Sequence, residues 1–503
     1  MKHAKRFASI LLAVVMLFAL SVTAFADGET AFTITAPDNG HTYEIYQIFT
    51  GDLYQGVLSN IKWGQNGNGT VNTSVPDTVL AELEAATGTD SAKLAVISRY
   101  VDLESSPYNT VDSGASLTDV PAGYYLIKDV DRALAGENDS YTTYLVKVVG
   151  NVDITPKAAV PSREKKVKDI NDSAGTASGW QDSADYDIGD AVPFQLKGTV
   201  ASNYDAYTVY QFIFHDQEAA GLTFNPDSVK VYVDGTPITE GYTVQSPAAD
   251  GDTFDVIFTD LKQIASVHAG SVITVEYTST LNTGAIHGSQ GNRNEMYLEY
   301  SNNPNDAQGS ETGKTPKDIV IVFTYKTIID KITKNPDYDA AVEGSEEYIA
   351  LNGAAFKLEK LIKGDGAENT WVQVKAFTVD AQNPVSSFTF TGLDDGTYKL
   401  TETTTPNGYN TIDPIEFTVT ATHDELADVP TLTALTGEAA TGELTFTSNL
   451  SEGSLTARVI NNAGSTLPET GGTGTTIFYI LGSVLLLGAA VLLITRRRMH
   501  TKD

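Results

Sequence analysis

The sequence predicts an all-β protein built of tandem immunoglobulin-like β-sandwich domains, with a short helical insertion in the first. Three observations carry that reading. Short runs rich in Val, Ile, Thr, Tyr and Phe alternate with clusters of Gly, Asn, Asp and Pro, the punctuation of strands and tight turns in sandwiches. Tyrosine is frequent, at 24 of 503 residues, as half-buried strand faces favour. One stretch, Asp77 to Val101, instead spaces Val79, Leu80, Leu83 and later Leu94 and Ile97 at helical intervals, predicting one or two helices packed on the first sandwich.

Composition excludes several function classes. A formal net charge of −31 repels phosphate and argues against nucleic acid as a partner; it suits a soluble surface protein that must not adhere to its neighbours. The chain has no cysteine, so disulfide staples, Fe–S or Cys–zinc sites, a cysteine nucleophile and an internal thioester are all ruled out. The seven histidines are scattered, with no pair at metal-ligand spacing. No nucleophile elbow, phosphate loop or dinucleotide fingerprint occurs. The glycine-rich WGQNGNGT at Trp63 lacks the lysine and the strand–helix context of a phosphate loop and reads as a turn. No cofactor, no metal and no enzymatic turnover are expected, and no two acids are placed together as a surface hydrolase would need.

Both termini read as processing segments. Residues 1–26 carry a basic start (Lys2, Lys5, Arg6), an apolar stretch from Ile10 to Leu20 and small residues at Ala24 and Ala26, a secretory signal that leaves Asp27 as the mature start. At the other end, Leu467-Pro468-Glu469-Thr470-Gly471 precedes an uncharged run from Ile477 to Ile494 and then Arg496-Arg497-Arg498. The run meets the roughly 18 residues a spanning helix needs, predicting a transmembrane helix over 477–495 with its arginines held in the cytoplasm. Two Pro-bearing seams divide what lies between into blocks 27–157, 158–316 and 317–466, with 467–503 as the terminal signal.

The motif, hydrophobic span and basic tail resemble the cell-wall sorting signal of Gram-positive surface proteins. That resemblance implies that a sortase, pilin-type or housekeeping, cleaves between Thr470 and Gly471 and joins the threonine carbonyl to an amine. The third block carries LNGAAFKL at 351–358, GTYKLTET at 396–403 and PNGY at 406–409. It resembles the Cna-B-type (SpaA-like) domain of Gram-positive pilins and adhesins, with its E-box glutamate. The family pattern implies an intramolecular isopeptide bond between Lys331 and Asn461, promoted by Glu402. Pleat parity agrees: Leu455, Ala457, Val459 and Asn461 share one face, and the rival Asn462 points the other way. Chemistry agrees too, because burial neutralises a lysine amine and keeps a carboxylic acid protonated.

The second block resembles the fimbrial isopeptide-forming D2 domain in PSREKKVKD from Pro161, YDIGDAVPFQL from Tyr186, FIFHDQEAAGLTF from Phe212 and NEMYLEYSNNP from Asn294. It implies a Lys165–Asn294 bond with Asp216 as the acid and Asn294 opening the last strand; Lys166 and Asn292 are the rival residues. The first block, with HTYEIYQIFTGDL from His41 and AGYYLIKDVD from Ala122, resembles the N-terminal domain of the same pilins. Lys128 stands where a glutamate would be useful, and no cross-link is predicted there.

Backbone pilins of this kind carry an acceptor lysine in a V-x-Y-P-K-N-type motif. The equivalent place reads Val152-Asp-Ile-Thr-Pro-Lys157-Ala, keeping the Pro-Lys but replacing the tyrosine by Thr155 and the asparagine by Ala158. The resemblance thus implies a subunit linked head to tail through Thr470 and Lys157 to identical subunits, and at its base to peptidoglycan, with minor pilins as further partners. The alternative is a solitary or tip-located adhesin anchored once through Thr470, binding a host or dietary glycan or a matrix protein.

Overall fold

The computed structural model describes residues 31–54, 56–86, 96–156, 158–364, 368–440, 444–464 and 473–499. The signal-like segment 1–26, Lys157 and the motif Leu467–Gly471 lie outside the described residues. Strand alternation is clean where both faces are defined. Val272–Leu281 alternates partly exposed and buried positions along its whole length, as a two-residue side-chain period requires. Among the described residues the strands form six sheets, paired face to face as three sandwiches.

In the first domain, Ala31–Thr35 lies between Ser116–Pro121 and Val152–Asp153. The facing sheet is centred on Tyr43–Tyr54 and Gly123–Asp129. The helical insertion is present as the Asp77–Ala85 helix and the short 3₁₀ turn Ser98–Tyr100. Val79, Leu80, Leu83 and Ile97 pack against a small core that includes Phe49 and Trp63. Leu94 lies outside the described residues.

The second domain is a pair of seven-stranded sheets. One contains Ser162–Asn171, Ala191–Thr199 and Val272–Leu281; the other contains Asp318–Phe323, Asn292–Ser301, Phe212–Glu218 and Phe254–Phe258. Phe194, Phe212, Phe214, Phe254 and Tyr300 fill the space between them, each fully buried and each stabilising by about 1.5–3 kcal/mol. Two expectations are corrected here. Asp318–Phe323 pairs with Asn292–Ser301 and with Ser183–Asp185, so this domain runs past Pro316 to Phe323. The proline-bearing seam is a loop inside the sandwich. For the same reason the strand that carries Asn294, as its third residue rather than its first, is not the last of its domain.

The third domain starts at Tyr325–Lys334, which runs parallel to the closing strand Ser454–Ile460. The opposite sheet carries Ala355–Ile362, Gly396–Thr404 and Ile415–His423. Successive domains are hydrogen-bonded through their backbones. Gly136 N and Tyr141 N donate to Thr312 O and Asn302 O, both at 2.7 Å; Asp182 N donates to Glu425 O at 2.7 Å and Ile188 N to Gly392 O at 3.1 Å. Gly392 has φ +73°, and a Cβ there would lie 2.4 Å from Ile188 Cδ1, so only glycine admits this close approach.

The C-terminal helix, Thr473–Met499, has 27 residues, about 40 Å of rise. Its described side chains from Ile480 to Ile494 are apolar or small and exposed. Among the described residues no helix is long and apolar enough to cross a membrane; the side chains of residues 477–479 and 495 of the predicted span fall outside that set.

Candidate functional site

The third domain brings Lys331, Asn461 and Glu402 together. Register places Lys331 beside Val459 on the parallel neighbour, so the residue just past that strand, Asn461, comes level with the lysine tip. Lys331 Nζ donates to Asn461 Oδ1. Glu402 reaches across from the opposite sheet, its Oε1 3.2 Å from Lys331 Nζ and 3.0 Å from Asn461 Nδ2. Ile412 N–H donates to Glu402 Oε2 at 3.1 Å and fixes the carboxylate. Lys331 and Asn461 are fully buried, the amine standing 5.4 Å above the Phe356 ring. Burial lowers the Lys331 pKa, against the pull of Glu402. Asn462, by contrast, is exposed to solvent.

The second domain assembles its residues differently. Lys165 comes from one sheet, while Asp216 and Asn294 sit on neighbouring strands of the other. Lys165 Nζ is ion-paired with Asp216 Oδ2, and all three side chains are fully buried. Two groups that sequence reasoning missed complete the cluster. Tyr277 OH accepts from Lys165 Nζ at 3.0 Å and from Asn294 Nδ2 at 2.9 Å, and donates to Asp216 Oδ2 at 2.8 Å. Glu218 Oε1 lies 3.4 Å from Asn294 Nδ2 and accepts from Ser279. Glu218 was accessible in principle, since it shares the inward pleat face two residues after Asp216; Tyr277 reads as one more core aromatic.

Desolvation dominates the electrostatics: it lowers the Lys165 pKa, raises that of Asp216 and pushes Glu218 up to about 8. Asn294 Oδ1 and Asp216 Oδ1 are buried without a hydrogen-bond partner, an arrangement that costs stability unless another proton is supplied. The rivals are engaged elsewhere. Lys166 Nζ pairs with Asp182 Oδ1 at 2.5 Å, and the Asn292 side chain bonds Ile286 N and O and Val322 O.

Among the described residues the first domain has no lysine–asparagine–acid cluster. Lys128 is buried and ion-paired, 2.9 Å from Glu44 Oε2 and 2.6 Å from Asp131 Oδ1. His41 bridges Asp129 and Asp139 at 2.8 and 2.7 Å.

Comparison with known proteins agrees with this architecture. Residues 343–432 match the SpaA prealbumin-like fold domain family, and residues 460–500 match the LPXTG cell wall anchor motif. No curated protein matches the chain significantly. Among solved structures, the T6 backbone pilin of serotype M6 Streptococcus pyogenes is similar with TM-score 0.54 and 17% identity, over 88% of this chain and 100% of that one. The major pilin SpaD of Corynebacterium diphtheriae aligns with TM-score 0.47 and 18% identity, over 88% and 100%.

The chain thus combines a Gram-positive cell-wall anchor motif over 460–500 and a SpaA-like domain over 343–432 with a fold similar to that of a backbone pilin. Among the described residues the last of the three sandwiches is SpaA-like, and the anchor motif places the protein on the cell wall, outside the cell.

Proposed function

We propose that the protein is the repeating subunit of a covalently polymerised pilus, held rigid by two internal Lys–Asn isopeptide bonds. The observation that carries this reading is the single oxygen, Glu402 Oε1, in reach of both Lys331 Nζ and Asn461 Nδ2. In each bond the neutral amine attacks the asparagine Cγ, the Cγ–Nδ2 bond breaks, and the lysine proton leaves with that nitrogen as ammonia. One carboxyl touching both nitrogens can carry the proton between them. Fixed juxtaposition in a dry core supplies the remaining advantage. A covalent tie between strands cannot be reduced and suits a fibre under tension.

Polymerisation would join Thr470 of one subunit to Lys157 of the next, with peptidoglycan as the terminal acceptor. An immunoblot of muramidase-released wall material, boiled in detergent, tests it with wild type beside Lys157→Ala. A high-mass ladder that collapses in the variant is the expected result. A ladder that survives moves the acceptor elsewhere, and a single wall-linked band in both makes this a solitary anchored adhesin. Intact mass tests the internal bonds separately, each expelling one ammonia.

A further inference from the structure

Second and third domains meet across a cluster of aspartates that the cross-link chemistry does not use. Lys360 answers three of them, pairing with Asp187 and lying 3.0 Å from Asp394 and 3.9 Å from Asp172. Asp169 and Asp185 of the second domain remain, facing His423 at the end of the Ile415–His423 strand of the third. Asp185 is 2% exposed, yet its Oδ2 has no hydrogen-bond partner, and neither has Asp169 Oδ1. A buried carboxylate oxygen left so is costly unless a proton or a cation answers it.

The histidine is oriented for that role. Ser183 Oγ donates its one proton to Asp424 O at 2.7 Å, so it must accept from His423 Nδ1–H, also at 2.7 Å. In the neutral ring the Nε2 lone pair is then turned to the carboxylates, an orientation typical of metal-bound imidazole. Nε2 lies 3.6 Å from Asp185 Oδ1 and 3.9 Å from Asp169 Oδ2, too far for hydrogen bonds. Two ligands each about 2.0–2.2 Å from one shared ion would stand close to that separation. The candidate ligand atoms of all three residues lie within 4.8 Å of one another.

We infer that Asp169, Asp185 and His423 form a site for a divalent transition-metal ion of the zinc class, closing the junction between the second and third domains. An imidazole with two carboxylates suits zinc, whereas calcium calls for about 6–8 oxygen ligands. A neighbouring carboxylate, Asp395, or a water would complete the shell. The inference does not depend on polymerisation.

Calorimetric titration of the purified, chelator-stripped full chain with zinc chloride tests it, with calcium chloride as comparison. Wild type should bind one zinc per chain, more tightly than calcium, and melt at a higher temperature with zinc than in chelator. His423→Ala and Asp185→Asn should weaken binding at least tenfold and lose the melting shift. His215→Ala, which alters a separate cluster with Asp250, Asp252 and Asp255, should leave both unchanged. No zinc uptake by wild type, equal uptake by every variant, loss confined to His215→Ala, or tighter calcium binding would each overturn the inference. Should Asp185→Asn fail to fold, His423→Ala, compared with wild type in chelator, still decides it.

Discussion

Glu218 stands in register opposite Asn294 on the neighbouring antiparallel strand, its Oε1 3.4 Å from the asparagine Nδ2. Asp216, on the same inward face, pairs instead with Lys165. The second domain thus places one acid at each end of the prospective bond, with the Tyr277 hydroxyl between them. Third-domain chemistry puts both contacts on Glu402 alone.

That division makes the two acids separable. Asp216→Ala removes the group on the nucleophile and should slow second-domain bond formation by about 100-fold or more, the usual scale of acid–base assistance. Glu218→Gln and Tyr277→Phe keep shape and should slow it by smaller factors. Ammonia loss followed by mass spectrometry after refolding reads all three, with the third-domain bond as an internal control. An unchanged rate in Glu218→Gln would leave that residue a mere packing element.

The third-domain bond should dominate that domain's resistance to heat. Lys331 and Asn461 are 130 positions apart, and closing a loop of that size stabilises by about 5 kcal/mol through the unfolded state, by analogy with a disulfide. Glu402→Gln preserves volume while removing the proton carrier, so the chain should fold uncross-linked and melt roughly 10–20 °C lower. Equal melting temperatures, with mass confirming the missing bond, would refute the mechanical role assigned to it.

How much of this was legible depended on strand parity. Leu455, Ala457, Val459 and Asn461 are buried and Asn462 is not, so a period of two suffices to choose between adjacent asparagines. The same parity separates Lys165 from Lys166. Tyr277 was invisible because a hydroxyl that hydrogen-bonds a buried polar cluster and a core aromatic ring have one sequence signature on an alternating strand. The second boundary was misplaced because Pro and Asn clusters mark turns inside a sandwich as readily as seams between sandwiches. The Ser183–His423 contact spans 240 positions, and no local pattern encodes a meeting between domains.

Lys360 should be the most sensitive single residue of the inter-domain junction. It is 2% exposed and carries the charge that faces Asp187 and Asp394; those carboxylates raise its pKa despite the opposing effect of burial. Lys360→Met retains volume and apolar contact but leaves the buried Asp394 carboxylate without its cation and removes one from the half-buried Asp187, a loss of about 3 kcal/mol. Calorimetry should show the second and third domains unfolding at lower temperature in Lys360→Met, with the first little affected. A shift below about 1 °C would mean that the carboxylates are already protonated and the lysine is dispensable.

Acid should weaken the second domain through Glu299. The His215 ring, with Nε2 3.5 Å away, is the largest influence; burial opposes it, and Thr312 and Lys314 add to it. Together they hold the carboxyl down at about 2, from an ordinary value of 4.5. The partner moves the opposite way: burial lowers the His215 pKa, but Glu299, Asp255 and Asp250 outweigh it and leave it raised. A depressed carboxylic acid contributes stability that is fully present above its unfolded pKa and is lost as pH falls through its folded one. The contribution is therefore intact above pH 4.5, declines between 4.5 and 2, and amounts to on the order of 3 kcal/mol. Urea titrations of wild type and Glu299→Gln at pH 6 and pH 2.5 should show a gap between them at the higher pH that narrows at the lower. A gap independent of pH would show that the glutamate acts through packing rather than through its charge.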